Sequence, residues 1–475
     1  MRIAFESSIE RAVEGARRFP GAAWLDGDGR ASGGRMSHLA CEPVETLRSE
    51  RTDGSALTEI AHALEASPSS SPRPRWIGYL TYELGRSRER RTIDDRRPIE
   101  PGPTAWWARY DAVATFDHAT GRAWIDADDG AAAERLARRL GATERRAPDV
   151  SLPLTPTLSP FGERGPGPVI APRPMDVPPL SPQRGERQGR ALGELRSDVD
   201  RTAHVENVRR ALDHIAAGDV YQVNVTRRIT VTPAPDVSFA LARAMRRASP
   251  VPYGAWLDAG DHAIVGRSPE LFLAWDRPGR TLSTRPIKGT LAHLGGRSFA
   301  DASERLRGDP KEHAEHVMIV DMARNDLGRV AVTGSVEVPA FLEVERFAEL
   351  DHLVSTVTCR SRADVSLADV LDATFPGASV TGAPKVAAMD LIAEIERSRR
   401  GLYTGAYGYV ACDGSLVLAM AIRTAVVRDG SLVYGTGGGI VAASDPAREW
   451  DETVLKARAL SDALTPSPPI VERIR

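Results

Sequence analysis

The sequence predicts an α+β fold built on a large antiparallel sheet system, and three observations predict it. Two Asp-Gly turns, Asp413-Gly414 and Asp429-Gly430, each separate short apolar runs in the manner of hairpins. Val205, Val208, Leu212 and Ile215 line one helical face, and Gly218 supplies a stop. Hairpins and helices are mixed, rather than strands alternating one for one with helices as a parallel doubly wound sheet requires.

The elements follow in order. Residues 1–148 alternate short apolar stretches with turns, and Trp76 to Tyr82 and Ala105 to Tyr110 read as aromatic-rich strands. Between them, Arg86 to Arg97 mixes both signs of charge and reads as a solvated loop. Residues 149–190 are rich in Pro, Gly, Ser and Arg, keep no apolar period, and read as a low-complexity linker. The linker holds a near-repeat, Leu158 to Arg164 and Leu180 to Arg187, and two copies do not build a stacked solenoid. From 191 to 465 the chain is regular. Ala263-Ile264-Val265 and Leu271-Phe272-Leu273 are strand-like and flank Ser268-Pro269-Glu270. His313 to Leu327 is helical. Pro384 opens a helix carrying Val386, Met389, Ile392 and Ile395. Leu416 to Val427 reads as one apolar strand containing Arg423, and a last helix, capped by Ser444 or Asp445 and opened by Pro446, runs to about Leu464.

Composition excludes several function classes. The chain has 475 residues, 42% of them hydrophobic, and its 62 basic and 64 acidic residues leave a formal charge of -2. Neither a nucleic acid nor a membrane surface is an expected partner. No signal peptide or run of about 18 apolar residues is present, so a cytoplasmic protein is expected. Cys41, Cys359 and Cys412 are scattered without metal-ligand spacing, which fits a reducing compartment. Lysine is scarce: Lys288, Lys311, Lys385 and Lys456 are the whole set. Genomic base composition explains an arginine excess, but arginine stays protonated whereas lysine can lose its proton and attack an electrophile. The lysines therefore mark candidate chemistry.

Glu449, Glu452 and Lys456 fall on one face of the last helix. Alone, that is a solvated pair. Gly435-Thr436-Gly437-Gly438-Gly439 reads as a turn leading toward this helix, where bare N–H groups could meet an anion and nearby carboxylates could hold Mg2+. The stretch lacks the Gly-Lys-Ser/Thr ending of a nucleotide loop. Glu315 shares a helix with Asp321, Asn325 and Asp326 and by itself is an ordinary surface residue. Glu270 sits between apolar strands, where burial would raise its pKa and suit it to general acid work. Arg423 needs an anionic partner if buried, whether protein or substrate.

These segments resemble the chorismate-binding family, the synthase subunits for anthranilate, aminodeoxychorismate, isochorismate and salicylate. The matching stretches are Gly218 to Asn224, Ser268-Pro269-Glu270, Pro286-Ile287-Lys288-Gly289-Thr290, Ala314-Glu315-His316 through Arg324-Asn325-Asp326, His352-Leu353-Val354-Ser355, Thr381 to Lys385, Ala421 to Thr424, and Gly437 to Val441 through Glu452-Thr453. Gly34 to Ser37 and Trp76 to Tyr79 are similar to the amino-terminal region of the amino-transferring members. The resemblance implies an anthranilate synthase component I-like fold, a sandwich of large antiparallel sheets flanked by helices.

Two positions discriminate within the family. Members that add water at C2 carry a lysine where this chain has Gln222. Members making anthranilate or isochorismate usually carry alanine where it has Lys288, which resembles the branch that aminates at C4. By resemblance, Lys288 is the covalent nucleophile, Glu270 the acid for the departing 4-hydroxyl, and His352 a neighbour of the reaction centre. Tyr403, Arg423, Gly437, Gly438, Lys456, Thr381, Gly289 and Thr290 are implied in substrate binding. Glu315, Glu452 and Glu449 are implied at Mg2+. No cysteine sits in a glutaminase context, so ammonia is expected from a separate glutamine amidotransferase subunit. Only about ten residues follow Leu464, so a fused lyase is not expected. Anthranilate synthase component I is the alternative; tryptophan binding near Phe5 to Ser8 stays open.

Overall fold

A computed structural model describes residues 1–30, 33–53, 55–65, 70–86, 97–98, 102–141, 143–144, 195–232, 237–292, 298–347 and 350–464. The linker expected at 149–190 and its near-repeat lie outside these residues, as does nearly all of the Arg86 to Arg97 run.

Among the described residues the strands form two antiparallel sheets, of thirteen and ten strands. Each sheet is spliced from both ends of the chain. In the larger, Tyr253–Asp258 pairs with Ala23–Asp26, joining the later strands to the amino-terminal ones. In the smaller, Ala406–Ala411 pairs with Pro74–Leu80. The sheets stack face to face. Ile77, Tyr79, Trp106 and Tyr407 of one sheet pack with Ala23, Ala255, Leu257 and Ile264 of the other. Trp76, Leu80 and Trp107 point the opposite way, onto helices Ala56–Glu65, Pro310–Gly328 and Leu367–Thr374. Period-two alternation thus buries both strand faces, which is why these segments read as unbroken apolar runs. Helices Ile9–Ala16, Gly130–Arg139, Ser238–Ala248 and Arg458–Leu464 cover the outer face of the larger sheet. The α+β sandwich expected from the sequence is the observed architecture.

Local chemistry explains the element ends. Helix Arg201–Ala217 starts where Asp200 accepts from the Ala203 N–H and stops at Gly218, whose φ of 85° needs no Cβ. The Asp429-Gly430 turn has both residues at positive φ, 48° and 68°, and joins the paired strands Thr424–Arg428 and Ser431–Ile440.

Four expectations are corrected. Leu416 to Val427 is two strands in different sheets, Leu416–Met420 in the smaller and Thr424–Arg428 in the larger, because Arg423 takes a φ of 50° and swings the chain across. The Gly435 to Gly439 run is no turn: it lies within strand Ser431–Ile440, paired with Gln222–Val231. The last helix breaks into Pro446–Lys456 and Arg458–Leu464, and the Ala457 N–H is shared between the Thr453 and Val454 carbonyls. Pro384 is the cap before helix Lys385–Ile395, and Val386 is exposed while Ala388, Met389, Leu391, Ile392 and Ile395 face the core.

The chain crosses between sheets again at Ser268-Pro269-Glu270, linking Ala263–Ser268 to Leu271–Asp276. This crossing and the one at Arg423 are bonded to each other. The Met420 N–H donates to the Glu270 carbonyl at 3.1 Å, and the Arg267 N–H to the Arg423 carbonyl at 3.0 Å.

Candidate active site

Beside the two crossings lies a cavity of about 420 Å³. Glu270 and Arg423 enter it from the crossings, Lys288 and Gly289 from strand Ile287–Ala292, and His352 from Leu350–Arg360. Gly435 to Gly439 form one wall. Strand Thr424–Arg428 pairs with theirs only as far as Tyr434, so from Gly435 onward that edge is open to the cavity. Helix Pro310–Gly328 supplies Lys311, Glu312 and Glu315, and helix Pro446–Lys456 supplies Asp451, Glu452 and Lys456.

Three of the four lysines therefore converge on one cavity. Lys288 is placed by a register shift between Lys288 and Thr290, where Gly289 takes a φ of 79°. Its ammonium donates to Asn224 Oδ1 at 3.4 Å. Burial pulls its pKa below the usual lysine value, against the opposing charge of Glu315, so the neutral amine is easier to reach. Glu270 is 4% exposed and accepts from the Ser379 hydroxyl at 2.5 Å. Burial outweighs that bond and the charge of Lys288, and pushes its carboxyl up to about 7.

His352 is fully enclosed, and burial, with Arg423 beside it, pulls its pKa down to about 3. It is a neutral imidazole at pH 7. Its Nδ1 lies 3.4 Å from the Gly289 carbonyl, which can only accept, and its Nε2 faces the Arg423 guanidinium at 3.4 Å, which can only donate. The ring therefore carries its proton on Nδ1 and serves to hold Arg423. Tyr403 lies against Gly435, where a Cβ would meet its ring at 2.1 Å. Lys456 donates to the Gly437 carbonyl at 2.9 Å and pairs with Glu452 at 2.6 Å. Thr381 is fully buried and donates to the Gly377 and Ala378 carbonyls; it is not part of the cavity wall. Thr290 follows the bulge on the same strand, opposite His352.

Gly439 is where the cavity tolerates no side chain. A Cβ there would stand 2.7 Å from Lys288 Nζ, 2.8 Å from Gln222 Nε2 and 3.0 Å from Asn224 Oδ1. Gly439→Ala is expected to displace the lysine amine and lower kcat about a hundredfold. Steady-state kinetics with an unchanged thermal melt is the check; unchanged kcat refutes it.

The acidic residues fall behind the lysines. Lys311 lies 3.7 Å from Glu315 and 3.3 Å from Glu449. Burial raises Glu315, and burial with the charges of Glu315 and Glu452 pushes Glu312 up to about 7. Burial also opposes ionisation of Glu452, but the Lys456 charge and hydrogen bond outweigh it and hold its pKa low. Among the described residues no three His, Cys, Asp or Glu side chains stand close enough to share a metal ion in this arrangement. The donor chemistry still suits a hard cation. Glu449 is 3% exposed, and while Lys311 reaches its Oε1, its buried Oε2 has no hydrogen-bond partner and remains an open acceptor. Mg2+ needs only one or two protein carboxylates beside water and substrate oxygens.

Under the cavity, Arg400 pairs with Glu396 at 2.7 Å and donates to the Val380 and Asn224 carbonyls, while Glu396 accepts from the Thr226 N–H and hydroxyl. Both side chains are nearly without exposure. Glu396→Ala strands the guanidinium and is expected to destabilise the fold by about 3–5 kcal/mol, read from chemical denaturation. A loss under about 1 kcal/mol contradicts this accounting. Neither residue was singled out in the sequence, because a lone Glu-x-x-x-Arg spacing reads as an ordinary surface pair.

Residues 22–462 match the model of the chorismate binding enzyme family. The chain is 38% identical over 441 residues to anthranilate synthase component 1 of Thermus thermophilus, covering 91% of this chain and 87% of that one. It is 36% identical over 406 residues to the aminodeoxychorismate synthase of Streptomyces griseus, covering 84% of this chain and 51% of that one. Its fold is similar to the crystal structure of anthranilate synthase component I from Streptococcus pneumoniae, with a TM-score of 0.70, 28% identity, and coverage of 90% and 92%. The chain belongs to the chorismate-binding enzyme family. Within that family it is a chorismate-utilising enzyme of the anthranilate synthase component I type.

Proposed function

We propose that this chain is the chorismate-aminating component of an aminodeoxychorismate synthase, forming 4-amino-4-deoxychorismate through a covalent bond to Lys288. The observation that carries this reading is a half-buried lysine whose amine has a lowered pKa, lining the same cavity as a carboxyl poised near neutrality. The neutral Lys288 amine attacks C2, the conjugated double bonds shift across the ring, and the C4–oxygen bond breaks. Glu270 gives its proton to the hydroxyl, which leaves as water. Ammonia then attacks C4, the double bonds shift back, and the C2–nitrogen bond to Lys288 breaks. Arg423, held by His352, and Lys456 suit the two substrate carboxylates. Glu315 and Glu452, with Glu449 adjoining, would hold Mg2+. That ion would supply positive charge to a substrate carboxylate. Ammonia would come from a glutamine amidotransferase subunit, and the product would serve 4-aminobenzoate and folate synthesis in the cytoplasm.

The second reading is anthranilate synthase component I, favoured by the name of the Thermus relative. Incubation with chorismate, Mg2+ and ammonium separates them. The expected product is non-fluorescent and yields 4-aminobenzoate only after an added lyase. Fluorescent anthranilate as the main product sinks the first reading, and unchanged chorismate with a glutaminase supplied sinks both.

A further inference from the structure

Asp326 and Lys385 belong to two of the stretches that carry the family resemblance, yet neither lines the catalytic cavity. They meet behind it. Lys385 donates to Asp326 Oδ2 at 2.7 Å and to the Thr374 carbonyl at 3.1 Å. The Lys385 and Asp326 side chains are 16% and 10% exposed, so the pair reaches solvent at one end. Asp326 also lines a second cavity of about 20 Å³, whose wall includes Glu270, Thr284, Thr374 and Ser379. Glu270 and Ser379 are the residues this small cavity shares with the catalytic one. A water needs roughly 10–15 Å³ and two to four polar partners, and the small cavity meets both conditions for a single molecule.

We infer that one water in this small cavity, with Asp326 and Lys385, forms an internal path by which Glu270 exchanges its proton with solvent while substrate fills the catalytic cavity. The inference rests on Glu270 as the acid for the departing hydroxyl, a step common to both amination readings. Once Glu270 has given up its proton, its carboxylate takes one from the cavity water. The Lys385 ammonium first protonates the Asp326 carboxylate, Asp326 then passes that proton to the water as the water gives one to Glu270, and Lys385 recovers one from solvent. One solvent proton replaces the one lost, and no charge accumulates.

The surrounding charges fit this direction. Lys288 and Lys456 face Glu270 from the catalytic cavity. Lys385 and Arg329 face Asp326 from the other. Burial raises the proton affinity of both Asp326 and Glu270. Asp326 and Lys385 touch no substrate and are positioning residues for the acid.

The test is rapid-quench product formation from chorismate and ammonium by Asp326→Asn, Asp326→Asn/Lys385→Met and Ala323→Val. The last fills the cavity from helix Pro310–Gly328 and leaves every ionisable group in place. The expected result is one product per site at the wild-type rate, then a steady state about tenfold slower, with KM for chorismate unchanged and no such burst in the wild type. Linear time courses at the wild-type rate overturn the path. So does a first turnover slowed as much as the steady state, which marks a distorted Glu270. If an Asp326 variant fails to fold, Ala323→Val decides alone. Glu270→Gln keeps the two readings apart: it is slow from the first turnover if Glu270 is the acid, and as fast as wild type if the acid reading itself is wrong.

Discussion

Lys288→Ala and Lys288→Met are expected to abolish a covalent adduct that the wild type is expected to form with chorismate in the absence of ammonia, and each to lower the proposed 4-amination rate about a thousandfold, roughly 4 kcal/mol of barrier. Intact-protein mass spectrometry is the measurement. The physical reason is that burial lowers the pKa of this amine and so enlarges its neutral, nucleophilic fraction. Lys288→Arg sharpens the result. A guanidinium keeps the positive charge but does not lose its proton. If Lys288 served only to attract a carboxylate, arginine would retain activity. The covalent reading expects no adduct and no recovery, and an active arginine variant would falsify it.

The second large effect belongs to Glu270. The acid must be protonated to assist the leaving hydroxyl, so activity is present below its pKa and lost as pH rises through it. With that pKa near 7, kcat is expected to fall about tenfold per pH unit on the basic side. The requirement for a neutral Lys288 amine acts in the opposite direction, since that fraction grows as pH rises. Glu270→Gln removes the basic limb and lowers kcat about a hundredfold to ten-thousandfold. A variant that keeps the wild-type basic limb would show that another group is the acid.

How much of this was legible in the sequence differs from residue to residue. Asp429-Gly430 announced its hairpin because only residues tolerant of positive φ fit that turn. Arg423 did not announce its own positive φ of 50°. Its neighbours are apolar on both sides, and nothing local says that they belong to different sheets. The glycine run failed for a related reason. Gly435 to Gly439 look like a turn because glycine is common there, but here each of the four glycines lacks a side chain because Tyr403, Thr226, Glu449 or Lys288 already fills the space. Lysine scarcity located Lys288, Lys311 and Lys456, whose meeting in one cavity is a tertiary fact. Glu312 and Glu396 carried no signal at all. Their importance comes from burial, which single-residue spacing does not encode.

The mutual bonding of the two sheet crossings has a mechanical consequence. Glu270 at one crossing and Arg423 at the other hang from opposite layers, so their separation is a caliper reading of the apolar filling between the layers. The amino-terminal half supplies part of that filling through Ile77, Tyr79 and Trp106. It therefore gauges the distance between two cavity side chains that it does not itself provide. Swapping bulk within this filling would retune turnover before it reduced stability. The range of cavity dimensions open to this architecture is then bounded by which residues can be stacked between its sheets.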